Sequence, residues 1–128
     1  MDTRPTLDAT GAAGWRDWLS RHGRTEREVW LVVRRAGIPD PGVGYAEAIE
    51  HALCFGWIDS HARKRDAGSF HLRFSPRTAR SRWSRVNRRR AADMIGRGLM
   101  TVDGLAAIER ARAAGTWDPV AAPAAAAG

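Results

Sequence analysis

Residues 57–75 read WIDSHARKRDAGSFHLRFS, and the fold turns on how that stretch pairs with itself. Phe70, Leu72 and Phe74 alternate with His71 and Arg73 at the two-residue period of a β-strand, and Asp66-Ala67-Gly68 supplies turn chemistry before them. A three-residue loop with Gly68 in the left-handed bulge position places Ile58, Ser60 and Ala62 opposite Phe74, Leu72 and Phe70. A two-residue loop would mix apolar and charged partners on each face, so the first register is preferred. The other face then carries Trp57, Asp59, His61, Arg63, His71 and Arg73.

Upstream of the hairpin, Trp15, Trp18, Leu19 and His22 recur at helical spacing, with Thr10 or Asp8 as cap and Gly23 as the left-handed residue that ends the helix. The run Val29-Trp30-Leu31-Val32-Val33 is too continuous for a solvent-facing edge and predicts the central strand of a small sheet. A breaker cluster over residues 38–44 precedes a helix over residues 45–55, with Ala46, Ile49, Ala52, Leu53 and Phe55 toward the core and Gly56 at its end.

Downstream, residues 81–95 predict a helix with Trp83, Asn87, Arg90, Ala91 and Met94 on one side and Arg82, Arg85, Arg88 and Arg89 on the other. Gly96 and Gly98 break it, Thr101 caps a last helix anchored by Leu105 and Ile108 as far as Gly115, and Trp117 folds back onto the core. The expected fold is α+β: a three-stranded, mainly antiparallel sheet, helices on one face, and a C-terminal helical pair. Residues 1–117 form one domain, and residues 118–128 read as a disordered Ala/Pro tail.

Composition narrows the function classes. At 128 residues, 44% hydrophobic and 27% charged, the chain is one soluble domain, which excludes a two-domain enzyme. No apolar run reaches the roughly 18 residues of a membrane span, and the start MDTRPTLDATGAAGW lacks a signal-peptide pattern, so no membrane partner and a cytoplasmic location are expected. The single Cys54 excludes an internal disulfide and reads as a buried small hydrophobe rather than a nucleophile. The net charge of +7 is concentrated: residues 67–92 hold eight arginines and no acid, and the remaining 13 basic residues nearly balance 14 acidic ones. Codon bias in a GC-rich genome accounts equally for twenty arginines against one lysine.

Three groups of residues carry possible chemistry. The band Arg82, Arg85, Arg88 and Arg89 suits a phosphate backbone, although a solvated helix face has the same composition. The segment 73–84 joins strand to helix with guanidinium, hydroxyl and indole groups in succession, and Ser81 at a helix N-terminus with Arg77 or Arg80 beside it suits an anion. The plainer alternative has Ser81 capping, Trp83 packing and Asn87 bonding a loop carbonyl. On the hairpin face, Asp59 beside His61, His71 and Arg73 has the arrangement used for general-base work, or Asp59 simply pairs with an arginine. A metal there is disfavoured by the flanking Arg63 and Arg73. No phosphate loop, dinucleotide fingerprint or nucleophile elbow occurs, so no cofactor is expected.

Taken in order, EVWLVVRR, YAEAIEHALCFGWIDS, LRFSPRTARSRWSRVNRR and GRGLMTVDGLAAIERARAAGTW resemble the YdeI/OmpD-associated, or bacteriocin-protection, proteins over residues 28–117. The two signature blocks are residues 52–60, and Arg73 to Arg77 with Ser81, Trp83, Ser84 and Asn87. The chain departs from the family pattern at Gly44, where a serine or threonine cap is usual, and at His61 and His71. The resemblance implies protection against antimicrobial stress rather than any defined reaction. Both blocks converge on one junction of hairpin and helix, so the expectation is a non-enzymatic, cytoplasmic binding protein holding a small anionic or aromatic ligand. Its site residues are Trp57, Asp59, Ser60, Arg73, Arg77, Ser81, Trp83 and Asn87. The alternatives are a nucleic-acid-binding module using the arginine band, and a small enzyme of specialised metabolism with Asp59 as general base.

Overall fold

The structure, a computed structural model, describes residues 4–39 and 41–118. Its elements run β1 (Thr6–Leu7), α1 (Gly11–His22), β2 (Val29–Arg34), α2 (Tyr45–Cys54), β3 (Trp57–Lys64), β4 (Ser69–Pro76), α3 (Arg85–Gly96) and α4 (Val102–Ala114). The fold is α+β, but the sheet has four strands in the order β1-β2-β4-β3 and is mixed, because β1 runs parallel to β2. The two-residue β1 has no periodicity to betray it and exists only through pairing of Thr6 with Trp30 and Leu7 with Leu31.

β2 and β4 are the inner strands. Val29, Leu31 and Val33 point to one face, where they meet Leu72 and Phe74 of β4 under the helices. Trp15 and Leu19 of α1 fill this core with Ile49 and Leu53 of α2, and the Trp15 indole Nε1 donates to Ala48 O across 2.9 Å, which satisfies the one polar atom that the ring brings inside. α3 and α4 each pack on α2 rather than forming a closed pair with one another.

α4 approaches α2 closely because Gly104 lies against the Cys54 carbonyl, to which the Thr101 hydroxyl also donates. Thr101 caps α4 as expected, accepting from Gly104 N, and Gly115 ends the helix at φ +78°. Ile108 is an anchor of α4, but Leu105 is 45% exposed; Gly104, Ala107 and Ala111 take the buried stripe instead. Ala46 likewise faces solvent, and Ala48 holds the core position. Gly23 ends α1 in right-handed backbone, not left-handed; glycine is needed there because a β-carbon would run into the Leu19 carbonyl.

The hairpin departs from the expected register. Ala62 pairs with Leu72 and Lys64 with Phe70, then an extra residue at Ser60-His61 opposite Arg73 forms a β-bulge, so that Ile58 meets Ser75 and Asp59 meets Phe74. The cause is Trp57. A regular strand would leave that indole on the polar face, whereas the bulge shifts the alternation by one and buries it beside Trp18, at 5.6 Å edge to face. Gly68 is not left-handed either. Asp66 makes the turn, its carboxylate accepting from Gly68 N and from the Ser69 hydroxyl, both at 2.9 Å.

α3 begins at Arg85, and its cap is Ser84, whose hydroxyl accepts from Asn87 N. Ser81 lies in the preceding loop. Residues 119–128, most of the expected tail, lie outside the described residues.

Candidate functional site

The bulge divides the expected site residues between the two faces of the sheet. Upstream of it, Trp57 and Asp59 share the helix-covered face with Phe74; His71 and Arg73, one residue out of step, occupy the opposite face. The general-base grouping of Asp59 with His61, His71 and Arg73 is therefore not assembled. His61 sits in the bulge and is exposed.

On the helix-free face, Arg73 is held by Glu28, the residue before β2, and by Ser60 of β3. Its Nε donates to Glu28 Oε1 at 2.7 Å and its Nη1 to Ser60 Oγ at 3.1 Å, and the same Glu28 oxygen accepts from Trp30 Nε1 at 3.2 Å. The Arg73 guanidinium holds the Glu28 carboxyl below its usual range. Arg4 and Arg63 lie over the Trp30 ring, with guanidinium carbons 4.6 and 5.6 Å from its centroid. Glu28 and Trp30 were legible only as a strand and its leading residue. Nothing local marks them as partners of Arg73 until β2 pairs with β4.

Arg77 follows the last residue of β4, and its backbone N–H donates to Gly56 O at 2.8 Å, which ties it to the turn between α2 and β3. Its side chain runs inward and is only 5% exposed. The guanidinium carbon stands 3.9 Å from the Trp83 centroid, and Trp83 in turn packs on Trp117 at 4.9 Å. Nη2 donates to Arg82 O at 3.0 Å, but Nε and Nη1 are buried without a partner among the described residues. Burial pushes the Arg77 pKa down to about 10, against the opposing charge of Asp59, so the group remains cationic at neutral pH. Asp59 approaches without forming an ion pair among the described residues.

The loop over residues 77–84 is built around this group. The Ser81 hydroxyl accepts from Thr78 N at 3.0 Å, closing a local turn rather than a helix, and the Thr116 hydroxyl donates to Ala79 O at 2.7 Å. Asn87 turns its Oδ1 to Arg90 Nη1 at 2.9 Å, away from any loop carbonyl. Trp57 is fully buried with its Nε1 donating to Gly23 O, so its indole offers no surface to a ligand. Of the expected set, the structure brings Arg77 and Trp83 together with Asp59 nearby; Ser60 and Arg73 form a separate cluster.

The arginine band is also divided. Arg82, Arg85 and Arg89 are exposed, but Arg88 folds inward, its Nη1 donating to both Trp83 O and Trp117 O at 3.0 Å. Among the described residues no group of three His, Cys, Asp or Glu is placed to hold a metal ion, and no helix is long and apolar enough to cross a membrane. Cys54 is fully buried, and burial pushes its thiol pKa up, against nucleophilic use.

No curated protein and no solved structure matches the chain. A sequence family does match, across residues 7–107, which takes in the hairpin, the Arg77 loop and α1 to α3. The chain belongs to that family, the Domain of unknown function DUF8412.

Proposed function

We propose that the chain is a non-enzymatic, cytoplasmic binding protein that holds a small anion at Arg77. The observation that carries this is the Arg77 guanidinium, charged and 5% exposed, with two nitrogens, Nε and Nη1, left without acceptors among the described residues. An unsatisfied buried donor costs about 1–3 kcal/mol, and more when charged, so an oxyanion accepting from Nε and Nη1 would recover that cost. Neither Trp57 nor Trp83 has an open ring face, which favours an anionic ligand over an aromatic one. Because Nε and Nη1 are buried, entry requires the loop over residues 77–84 to move, and the Thr116–Ala79 hydrogen bond is one of the ties that hold it. The resemblance of the hairpin and loop blocks to YdeI/OmpD-associated proteins supports a protective, stress-related role for such binding.

The test is tryptophan fluorescence of the whole chain titrated with inorganic phosphate, benzoate and short DNA at low and high salt. A saturable, salt-resistant response to an anion that disappears in Arg77→Met, a variant close in volume, is the expected result. No response to either anion, or a response unchanged in Arg77→Met, would overturn the proposal. A second reading, nucleic-acid binding, is favoured by the exposure of Arg82 in the loop and of Arg85 and Arg89 one turn apart on α3. DNA binding that collapses with salt and survives Arg77→Met would support it.

A further inference from the structure

A cleft of about 670 Å³ opens at the other end of the sheet, between the segment leading into α1, the loop after β2 and the tip of the β3–β4 hairpin. Its floor is Ala9, Val32 and Ser69, each 7% exposed. None of its lining residues belongs to the Arg77 loop, so the two sites stand or fall separately.

The cleft is polar, and its charges are sorted by position. At one end, Arg34 is fixed by a 3.0 Å hydrogen bond from Nε to Gly42 O, and its Nη groups make no hydrogen bond among the described residues. Gly11 at the start of α1 lies against the neighbouring Pro41 carbonyl, so the positive end of that helix is on the same side. The Thr10 hydroxyl makes no capping hydrogen bond, and the first turn of α1 has no acidic residue. Among the described residues, this end is cationic and rich in donors.

At the hairpin end, Asp66 is consumed by the turn, accepting from Gly68 N, Ser69 Oγ and Arg65 Nη1, each at 2.9 Å. Arg65 is thereby neutralised by Asp66. Asp8, 66% exposed, then stands 3.7 Å from Arg65 Nη2 as the excess negative charge. A ligand with a single charge would meet a favourable group at one end of the cleft and a like charge at the other.

We propose that this cleft binds a small zwitterion, an amino acid or a short peptide, with its carboxylate at Arg34 and Thr10 and its ammonium at Asp8. The surplus charge at each end then meets a partner of opposite sign, and the Ala9 and Val32 part of the floor is left for a side chain.

The experiment is an amide-resolved NMR titration of the whole chain with L-alanine and L-alanyl-L-alanine, and with the single-charge halves propionate and ethylamine. Saturable shifts at Thr10, Gly42 and Gly68 are expected for at least one zwitterion, at least about tenfold tighter than for either half. The tighter of alanine and dialanine identifies the source as free amino acid or peptide. Asp8→Asn, an exposed change that leaves the fold intact, and Arg34→Gln should each weaken that binding by about tenfold or more. The proposal is overturned if neither zwitterion shifts these amides up to about 10 mM, if propionate binds as tightly as alanine, or if Asp8→Asn binds unchanged.

Discussion

The Arg77 guanidinium carbon stands 3.9 Å from the centroid of the Trp83 indole, inside a loop that supplies one hydrogen bond and leaves two of its nitrogens without acceptors among the described residues. The contact with the ring is attractive, by about 0.5–2 kcal/mol, yet the desolvation that lowers the pKa to about 10 works against the folded state. Replacing the charge by a similar apolar volume removes both effects. Arg77→Met should therefore leave unfolding stability within about 1 kcal/mol of the parent, as isosteric removal of buried charge often does. Arg77→Lys should cost about 1–3 kcal/mol, because the compact, strongly hydrated ammonium cannot both reach Arg82 O and cover the ring. Urea unfolding of the two variants checks this; a Met variant less stable than the Lys variant would mean that the buried positive charge is a net stabiliser of the loop.

Two glycines of the C-terminal helices predict opposite responses to alanine. At Gly104 a β-carbon would meet both the Cys54 carbonyl and the Met100 sulfur, and the Cys54 carbonyl is backbone that cannot turn aside. Gly104→Ala should push α4 off α2 and cost about 1–3 kcal/mol. At Gly96, the last residue of α3, a β-carbon meets nothing within 4 Å, and the backbone is helical. Gly96→Ala should be neutral or stabilising by up to about 1 kcal/mol, through the entropy of the unfolded chain. Thermal unfolding of both proteins gives the signs directly.

What the residues announced in advance follows from how local the deciding interaction is. Thr101 and Gly115 bound α4 as read, because a cap and a left-handed terminus are set within a few residues. The run Val29 to Val33 gave an inner strand, because burial on both faces leaves a continuous apolar stretch. β1 escaped notice because two residues have no period, and its existence depends on a partner more than twenty positions away. The bulge at Ser60-His61 was hidden for another reason: the alternation of β4 is regular, and only the demand of Trp57 for the core shows that β3 cannot match it throughout. That one shift separated Asp59 from His71 and Arg73. Arg77 was legible as a residue of interest, but its burial depends on Trp83, and through it on Trp117, forty residues beyond Arg77.

His51 on α2 makes stability dependent on pH. Its Nδ1 accepts from Arg16 Nη1 at 3.3 Å, and since arginine only donates, the ring proton belongs on Nε2. Arg16 also donates to Leu99 O at 2.6 Å, so this one side chain joins α1, α2 and the turn before α4. Burial, then the charges of Arg16 and Arg97, lower the His51 pKa, with Glu47 opposing. A histidine whose folded pKa lies below its unfolded value contributes stability that is complete above the unfolded value of about 6.5 and is lost as pH falls through the folded one. Stability should decline from pH 7 to pH 5, and His51→Gln, neutral throughout, should show a shallower decline. An identical slope in urea unfolding at the two ends of this range would remove His51 from the account.

The arginines at the start of α3 should separate into structural and surface groups. Arg88 donates through Nη1 to Trp83 O and Trp117 O, and its Nη2 lies 3.9 Å from Asp118 Oδ1, so it clamps the chain beyond α4 to the loop that encloses Arg77. Truncation leaves two carbonyls short of a donor and loosens the Trp83–Trp117 contact. Arg88→Ala should cost about 1–3 kcal/mol. Arg85 and Arg89 face solvent, and their alanine variants should fall within about 0.5 kcal/mol of the parent. The same variants separate the two modes of binding: loss of the exposed pair should reduce the salt dependence of any DNA affinity by about one charge per arginine and leave phosphate binding at Arg77 unchanged. Arg88→Ala should instead weaken phosphate binding, because the loop it clamps is the one that holds Arg77 in place. Equal loss of stability in all three variants would show that the inward fold of Arg88 does not persist in solution.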